Sequence, residues 1–288
     1  MLSPKLFQHN CLKVQQLMRL TSTGASVAET GSAADAIFFI MYDPRCLTTA
    51  KGSPRLSPIP SDDYKLIFVL KKFSSLANQE KEMRAVEESP QLRSFAKAGD
   101  VQYPVLKFNE KFYKYKDRNS HTQYFSLSHA AKGETLWHYI WSYIHEPEAA
   151  ERGKILISAL KAYGAFGRTL ANFHLKFMTN PHCPFSAAKT GRNIKDCDTI
   201  AHQDLNPKNV FYHHPYIIFI DNATMAASLT HPSSTIQDVF FPLTMTASWL
   251  MTMSYVSAEQ QKLAQEFLKY VYSQFLTSYF HQFKEGWI

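Results

Sequence analysis

Residues 201–223 read AHQDLNPKNVFYHHPYIIFIDNA, and the predicted fold of the chain depends on this stretch. It contains two short apolar runs, VFY and IIFI, whose β-branched and aromatic residues are typical of buried, paired strands. Asp204 and Asn209 precede the first run, and Asp221 follows the second. A hairpin made from the two runs would bring these three polar side chains together at one end.

The three side chains have the chemistry of a magnesium site beside a general base. Mg²⁺ takes oxygen ligands and is usually held by one or two side chains plus the phosphates of a substrate, which suits Asn209 and Asp221. The carboxylate of Asp204 then remains to accept a proton from an attacking hydroxyl, or to orient it. His202 is interpreted as a buried residue that braces the loop. The alternative is a polar turn between strands, which three ligand-type residues in this order disfavour.

A family resemblance follows from these residues. The order His-x-Asp-x-x-x-x-Asn at 202–209, followed by an apolar strand that ends in Asp221, resembles the catalytic loop and metal-binding Asp of the protein-kinase-like superfamily. The nearest branch contains aminoglycoside phosphotransferases, choline kinases and fructosamine kinases, whose loops look like His-Gly-Asp-Leu-His-Pro-Gly-Asn, and Pro207 fits that form. Asn206 stands where common protein kinases carry Lys, and the sequence after Asp221 departs from Asp-Phe-Gly.

This resemblance implies an α+β, two-lobed kinase-like fold. The N-terminal nucleotide-binding lobe, 1–130, would be an antiparallel sheet with one helix, and the C-terminal catalytic and substrate-binding lobe, 131–288, would be mostly helical. ATP and Mg²⁺ would bind in the cleft, and the γ-phosphoryl group would pass to a hydroxyl. Lys208 could help to stabilise transition-state charge, although a solvent-facing lysine fits equally well.

Composition narrows the function classes. The chain has 288 residues, 45% of them hydrophobic and 19% charged, as in a globular protein. Its net charge of +7 favours anionic ligands such as nucleotides, but no long Lys/Arg run indicates nucleic acid. Four cysteines without CxxC spacing predict neither a zinc site nor a disulfide framework, so reduced thiols and a cytoplasmic location are expected.

Targeting signals and membrane spans are not expected from the sequence. No apolar run approaches the length of about 18 residues that a membrane span needs. The first 20 residues lack the apolar core of a secretory signal. Export by a route other than Sec would leave no mark in such a sequence.

The N-terminal part predicts strands at 36–41 and 64–73. The small, polar segment before the first strand contains Gly24 and Gly31 and lies where kinase-like folds have the loop that covers the nucleotide. It lacks the Gly-x-Gly-x-x-Gly spacing, so a plain flexible hairpin fits as well. The proline-rich segment 43–63 predicts an irregular loop or insertion.

The second predicted strand ends in Val-Leu-Lys, which resembles the Val-Ala-Ile-Lys of the family. The resemblance assigns Lys71 to the α and β phosphates of ATP. A helix predicted at 75–88 would supply the Glu that pairs with this lysine. Glu80 is favoured over Glu82 because it lies one turn from the apolar residues taken to mark the buried face.

The middle and end of the chain add further expectations. Residues 101–115 alternate like a hairpin with a turn at Asn109 and Glu110, and 123–129 read as a strand. The following segment resembles the linker between kinase lobes, which implies that backbone from Ser128 to Ala130 hydrogen-bonds adenine. Helices are predicted at 155–178, 241–253 and 258–283. His174 is interpreted as a buried structural residue, and Asp238 as a brace for the catalytic loop or, more simply, as a helix N-terminal charge.

Three functions compete at this point. A kinase of small molecules is favoured by Asn206 and Pro207 and by the lack of an Ala-Pro-Glu segment. An atypical protein kinase of the kind found among bacterial effectors would have a protein as the acceptor. A catalytically inactive nucleotide-binding scaffold stays open because the glycine loop lacks the family spacing. It is disfavoured by the retained Lys71, Asp204, Asn209 and Asp221.

Overall fold

The computed structural model describes residues 36–42, 65–87, 92, 100–109, 111–116, 120–129, 131–178, 198–225, 233–252, 254 and 256–285. Gly24, Gly31, Ala130 and the proline-rich segment 43–63 lie outside the described residues. The chain divides into two compact units. The first comprises Met1–Met83 and Asn109–Ala130, and the second comprises Arg84–Phe108 and Ala131–Ile288.

The described elements follow one another in this order: β1 (Ala36–Tyr42), β2 (Lys65–Phe73), α1 (Leu76–Glu87), β3 (Val105–Leu106), β4 (Lys111–Lys116), β5 (Thr122–His129), β6 (Glu134–Thr135), α2 (Leu136–His145), α3 (Ala149–Phe177), β7 (Asp198–Thr199), β8 (Val210–His213), β9 (Tyr216–Phe219), β10 (Ser233–Ser234), α4 (Thr235–Thr252) and α5 (Ala258–Glu285). The fold is α+β, with an antiparallel sheet in the first unit and long helices in the second, as the sequence predicted.

The first unit is built on a four-stranded antiparallel sheet in the order β1-β2-β5-β4. Helix α1 begins after Ser75, whose Oγ accepts a hydrogen bond of 3.2 Å from the backbone N–H of Asn78, a helix-capping contact. Gln79 is buried on this helix, and its Nε2 donates to the carbonyls of Tyr113 and Phe125 at 2.9 Å each. One side chain thus fixes α1 to β4 and β5.

The second unit contains a four-stranded sheet in the order β3-β9-β8-β6. Strands β8 and β9 form the predicted antiparallel hairpin, in which Val210 lies opposite Phe219. Val210 and Phe219 are buried, because this hairpin packs into the core of the unit. The loop before β8 and the turn after β9 therefore lie at the same end of the hairpin.

The expected hairpin at 101–115 is wrong. Val105 pairs in parallel with Ile218 of β9 in the second unit, whereas β4 joins the sheet of the first unit. Alternation of apolar and polar residues predicts strands but does not identify the partner of each strand. A lobe of residues 1–130 was expected, but 84–108 belong with the second unit, where β3 has its partner.

The helices of the second unit surround an aromatic core. Helix α2 is capped by Thr135, whose Oγ1 accepts from the backbone N–H of His138 at 3.0 Å. Helices α3 and α5 pack along their length through buried rings, including a stacked pair, Phe166 and Phe275, with centroids 4.7 Å apart. The long helices predicted from aromatic spacing are confirmed as α3, α4 and α5. Within the described ranges, none of the helices combines the length and apolarity required to cross a membrane.

Gly167 on α3 allows the close approach of α5. A Cβ atom at this position would lie 2.4 Å from the carbonyl oxygen of Phe275 and 3.0 Å from the backbone nitrogen of Tyr279. Both atoms belong to the backbone of a packed helix, so the helices would have to separate. We expect Gly167→Ala to lower the free energy of unfolding by about 1–3 kcal/mol, measured by denaturant titration.

A matched control lies on the same helix. Gly153 has open space where its Cβ would be, and alanine favours a helix over glycine. Gly153→Ala should therefore raise the free energy of unfolding by about 0.5–1 kcal/mol. Equal effects of the two substitutions would show that close helix packing at Gly167 does not determine the result.

Candidate active site

His202 connects the candidate catalytic loop to the end of β9. Its ring is fully buried, and Nε2 lies 2.9 Å from the carbonyl oxygen of Ile220. Nδ1 accepts a hydrogen bond of 3.3 Å from the backbone N–H of Asp204. Because Nδ1 is the acceptor here, Nε2 carries the proton and donates to the carbonyl. The interpretation of His202 as a residue that braces the loop is confirmed.

Asp238, in the first turn of α4, holds the loop backbone from the other side. Its Oδ2 accepts from the N–H of His202 at 2.6 Å, and its Oδ1 accepts from the N–H of Gln203 at 2.8 Å. Gln203 has a φ of 66°, a left-handed conformation that costs an L-residue about 1–2 kcal/mol. Two charge-assisted bonds offset this cost. The predicted brace role of Asp238 is confirmed, and its position near a helix N-terminus adds to it.

His174 extends this network into the core. The ring is fully buried on α3, with Nε2 3.2 Å from Oδ2 of Asp238 and Nδ1 2.7 Å from the hydroxyl of Tyr279. The carboxylate of Asp238 can only accept, so Nε2 donates to it. His174 therefore has the structural role predicted for it, and it links α5 to the loop through Asp238.

The carboxyl group of Asp204 is held by two side-chain amides. Nδ2 of Asn206 donates to Oδ1 at 3.1 Å, and Nδ2 of Asn209 donates to Oδ2 at 3.2 Å and to the backbone carbonyl of Asp204 at 2.9 Å. Burial raises the pKa of Asp204 above its ordinary value, and the negative charge of Asp221 raises it further. The hydrogen bonds from the two asparagines and the electrostatic interaction with the His202 ring act in the opposite direction on this pKa. The group is thus fixed in place and more basic than a solvated carboxylate.

Asn206 is a site residue whose role the sequence did not identify. Its Nδ2 binds the carboxylate of Asp204, and its Oδ1 accepts from the backbone N–H of Lys208 at 3.0 Å. The side chain is buried, so it fixes both the carboxylate and the loop that follows. The available signal was the replacement by Asn of the Lys that common protein kinases carry at this position.

Asp221 occupies a turn that is fixed by its neighbours. Its φ of 57° and ψ of 47° are left-handed, a conformation that Asp tolerates better than most residues. The next residue, Asn222, is buried and donates from Nδ2 to the carbonyl of Lys107 at 2.7 Å. The N–H of Ile220 donates to the carbonyl of Asn209 at 3.0 Å, which joins the turn to the catalytic loop. The exposed side chain of Asp221 is therefore close enough to Asp204 to influence its pKa.

Asn209 and Asp221 are compatible with a divalent cation that is completed by phosphate. Because Nδ2 of Asn209 points to Asp204, Oδ1 is the atom that remains for a metal. In the described part of the chain, no cluster of three or more His, Cys, Asp or Glu residues could hold a metal. An all-protein cage is thus not formed there, whereas Mg²⁺ commonly takes one or two side chains and substrate phosphates.

The partly exposed Lys208 packs its ammonium against two tryptophan rings. Its Nζ is 4.4 Å from the ring centroid of Trp249 and 5.2 Å from that of Trp137. Burial against these rings lowers the pKa of Lys208 below its ordinary value. The structure thus places this ammonium in an aromatic setting, and its expected contribution to transition-state charge stays a prediction.

Lys71 in the first unit pairs with Glu82, not with Glu80. The Nζ of Lys71 donates to Oε1 of Glu82, and Nδ2 of Asn109 donates to Oε2, in a largely buried arrangement. Glu80 is exposed. Helix α1 turns its buried face through Gln79 and Glu82, and Glu80 is rotated by about 100° from Gln79. The predicted partner of Lys71 is therefore corrected from Glu80 to Glu82. The prediction used only the apolar residues of the helix, whereas buried polar side chains lie at the centre of its buried face.

The proposed adenine contacts stay predictions. Ser128 lies on β5, where it pairs with Val69 of β2, and it is partly buried. The backbone role predicted for it is not tested by this pairing. Ala130 lies outside the described residues.

Comparison with known proteins gives no family match, since neither a family model nor a curated protein matches the chain. Solved structures do align with it, among them a kinase and a pseudokinase. The amicoumacin kinase hAmiN in complex with AMP-PNP, Ca²⁺ and Ami has a TM-score of 0.36 and 15% identity, with coverage of 89% of this chain and 78% of that chain. The PAN3 pseudokinase of Neurospora crassa has a TM-score of 0.35 and 10% identity, with coverage of 98% and 70%. The chain is thus similar to a kinase and to a pseudokinase, and at these TM-scores the functional case depends on its own residues.

Proposed function

We propose that the chain is an ATP- and Mg²⁺-dependent phosphotransferase that moves the γ-phosphoryl group to a hydroxyl of a small molecule. The observation that carries this proposal is the arrangement of Asp204. Its carboxyl group is more basic than usual, is fixed by Asn206 and Asn209, and is influenced by the charge of Asp221. A base and two oxygen ligands for a cation are the groups that phosphoryl transfer requires from this part of a protein.

The proposed reaction assigns one task to each group. The acceptor oxygen forms a bond to the γ-phosphorus, the bond from that phosphorus to the β–γ bridging oxygen breaks, and ADP leaves with the electron pair. Asp204 accepts the proton of the acceptor hydroxyl. Asn209 and Asp221 would hold Mg²⁺, which supplies neutralisation of phosphate charge when bound.

Lys71 and Glu82 support the nucleotide-binding part of the proposal. A partly buried ammonium that is oriented by a carboxylate can bind phosphate oxygens without a large loss of side-chain entropy. Asn109 restrains the second oxygen of Glu82, so the carboxylate keeps one orientation. In the proposed function Lys71 contacts the α and β phosphates of ATP, and Gly24, Gly31, Ser128 and Ala130 remain predicted contributors to the nucleotide site.

The pairing of Lys71 with Glu82 can be tested by mutation, with Glu80 as the control. Glu82→Gln removes the charge that orients Lys71, and we expect it to weaken ATP–Mg²⁺ binding about tenfold, because charge-assisted bonds contribute about 1.5–3 kcal/mol. Glu80→Gln removes the same charge from the exposed side of α1 and should leave the dissociation constant unchanged. Thermal stabilisation of each variant by ATP–Mg²⁺ measures both constants. A larger effect of Glu80→Gln would restore the original assignment.

The function is tested by incubating the protein with γ-labelled ATP, Mg²⁺ and a cell lysate. Label that appears in soluble compounds and is absent with Asp204→Ala supports a small-molecule kinase. Label on acid-precipitated protein would make the chain an atypical protein kinase. Absence of Asp204-dependent label in both fractions would contradict the proposal and favour a nucleotide-binding scaffold.

The metal ligands are tested separately from turnover. We expect Asp221→Ala to abolish the Mg²⁺-dependent part of thermal stabilisation by ATP, since it removes the charged ligand. Asp204→Ala should keep most of this stabilisation and lose transfer. If Asp221→Ala binds ATP–Mg²⁺ as the wild type does, Asp221 is not a metal ligand.

A further inference from the structure

Lys208 presents a cation between two helices that provide no counterion. Its ammonium lies over Trp249 of α4 and Trp137 of α2, whose rings meet edge to face at a centroid distance of 5.4 Å. Helix α2 contains no Asp or Glu. The only carboxylate of α4 is Asp238, which is fully buried and bound to the loop backbone. An anion that neutralises Lys208 therefore does not come from either of these helices.

Among the described residues, no carboxylate neutralises the charge of Lys208. Across the residues that the structure describes, its ammonium has the two indole faces as contacts and forms no ion pair with a carboxylate. A cation–π contact leaves the N–H groups directed away from the ring still able to donate. Lys208, Trp137 and Trp249 are all partly exposed, so a dissolved ligand can reach these donors.

The two tryptophans also limit the kind of ligand. Indole faces often bind cationic ligands, but here Lys208 already occupies that position. A second cation would meet the repulsion of the ammonium, whereas an oxyanion would accept its hydrogen bonds. The chemistry of the site thus favours phosphate, sulfate or carboxylate over an amine.

Lys208 is linked to the candidate base through one residue. Asn206 binds the carboxyl group of Asp204 with its Nδ2 and the backbone N–H of Lys208 with its Oδ1. The loop is also fixed to α2, because the N–H of Trp137 donates to the carbonyl of Pro207 at 3.1 Å. The base and the ammonium therefore have fixed positions on one rigid loop.

We propose that Lys208, Trp137 and Trp249 form a subsite for an oxyanion of the phosphoryl acceptor. The acceptor would then be a hydroxyl compound that also carries a phosphate, sulfate or carboxylate group. This inference depends on the proposed phosphotransferase function, because Asp204 must receive the hydroxyl of the same compound. Trp137 and Trp249 act as positioning residues for Lys208.

The test uses inorganic phosphate as the probe and the full chain as the protein. Thermal stabilisation is measured against phosphate concentration at constant ionic strength, with saturating AMP-PNP and Mg²⁺, and gives a dissociation constant. We expect saturable stabilisation of the wild type by phosphate and none by tetramethylammonium. AMP-PNP occupies the positions of the nucleotide phosphates. Stabilisation by phosphate that persists in its presence therefore comes from a separate oxyanion site.

Variants connect the response to the proposed residues. Lys208→Met should raise the dissociation constant for phosphate about tenfold, while Lys208→Arg keeps the charge and should stay within about threefold. Trp249→Leu should raise it about threefold, because the contact that positions the ammonium is lost. Lys269→Met, which removes an exposed lysine from α5, is the control for net charge and should have no effect.

Three results of the binding measurement would overturn the inference: no stabilisation by phosphate, equal stabilisation of wild type and Lys208→Met, or competition between phosphate and AMP-PNP. The last would assign the ammonium to the nucleotide instead of the acceptor. If label transfer depends on Asp204 but phosphate binding does not depend on Lys208, the subsite is excluded and the proposed phosphotransferase function stands. Phosphate binding without label transfer would overturn the assignment to an acceptor, because no acceptor would then exist.

Discussion

Asp204→Asn is expected to reduce phosphoryl transfer by about 10²–10⁴-fold and, at the same time, to stabilise the fold. The amide cannot accept the proton of the hydroxyl, and the loss of a general base typically has this magnitude. Burial and the charge of Asp221 disfavour the ionised carboxyl group. Asparagine has the same shape without the charge and keeps an oxygen acceptor for only one of the two amides, so the net rise we expect in the melting temperature is small, about 2 °C.

The stability effect of Asp204→Asn should depend on pH in a defined direction. The pKa of Asp204 in the folded chain is raised, so the ionised group destabilises the native state relative to the unfolded chain. This cost is fully present above the folded pKa and disappears below the unfolded pKa. The stability difference between variant and wild type should thus be largest near neutral pH and shrink as the pH falls through the folded pKa. Unfolding by urea at several pH values measures it.

The opposite results for Asp204→Asn would each contradict one part of this prediction. If Asp204→Asn destabilises the chain at neutral pH, the bonds from Asn206 and Asn209 to the carboxylate outweigh its burial. Unchanged transfer in a folded Asp204→Asn protein would exclude Asp204 as the base. Asn206→Asp serves as the matched comparison, since it adds a negative charge beside the same carboxylate and should be less stable.

Asp238→Ala is expected to lower the free energy of unfolding by about 3–5 kcal/mol, the largest stability change among the substitutions considered. Its carboxylate is fully buried and accepts from the backbone N–H groups of His202 and Gln203 and from the ring of His174. Removal of the acceptor leaves two buried donors and one partly buried donor without this partner. Gln203 would also lose the bonds that hold its left-handed conformation.

The control for this substitution is the adjacent residue. Gln237 is exposed on α4, and its Nε2 has only a long contact of 3.5 Å with the carbonyl of Gln203. Gln237→Ala should change the free energy of unfolding by less than about 0.5 kcal/mol. Chemical denaturation of both variants gives the comparison, and a similarly small value for Asp238→Ala would mean that the loop does not depend on this carboxylate.

The sequence predicted those parts of the candidate site whose residues are close together along the chain. Asp204 and Asn209 are five positions apart, and the apolar runs that follow determine the hairpin of β8 and β9. The first error in the prediction was the choice of the buried face of α1. Glu82 is a charged residue that is buried because Lys71 and Asn109 satisfy it, and hydrophobic periodicity assigns such residues to the surface.

Long-range partners could not be predicted from the sequence. Lys208 meets Trp137 and Trp249, which are on two helices far from it along the chain, and no spacing rule connects the three. The pairing of Val105 with Ile218 had no local signal for the same reason. Periodicity reports which residues share a face, whereas the partner of that face is decided by the packing of the whole unit.

Strand β3 also has a consequence for the kinetics of folding. It is synthesised before β4 and β5, yet its partner β9 follows much later, and the bond from Asn222 to the carbonyl of Lys107 connects positions 115 residues apart. Closing so long a loop is entropically costly and slow compared with forming a helix. We therefore expect β3 to dock late. The turn that carries Asp221 would reach its final geometry only at that step, so β9 must be synthesised before the candidate site can form.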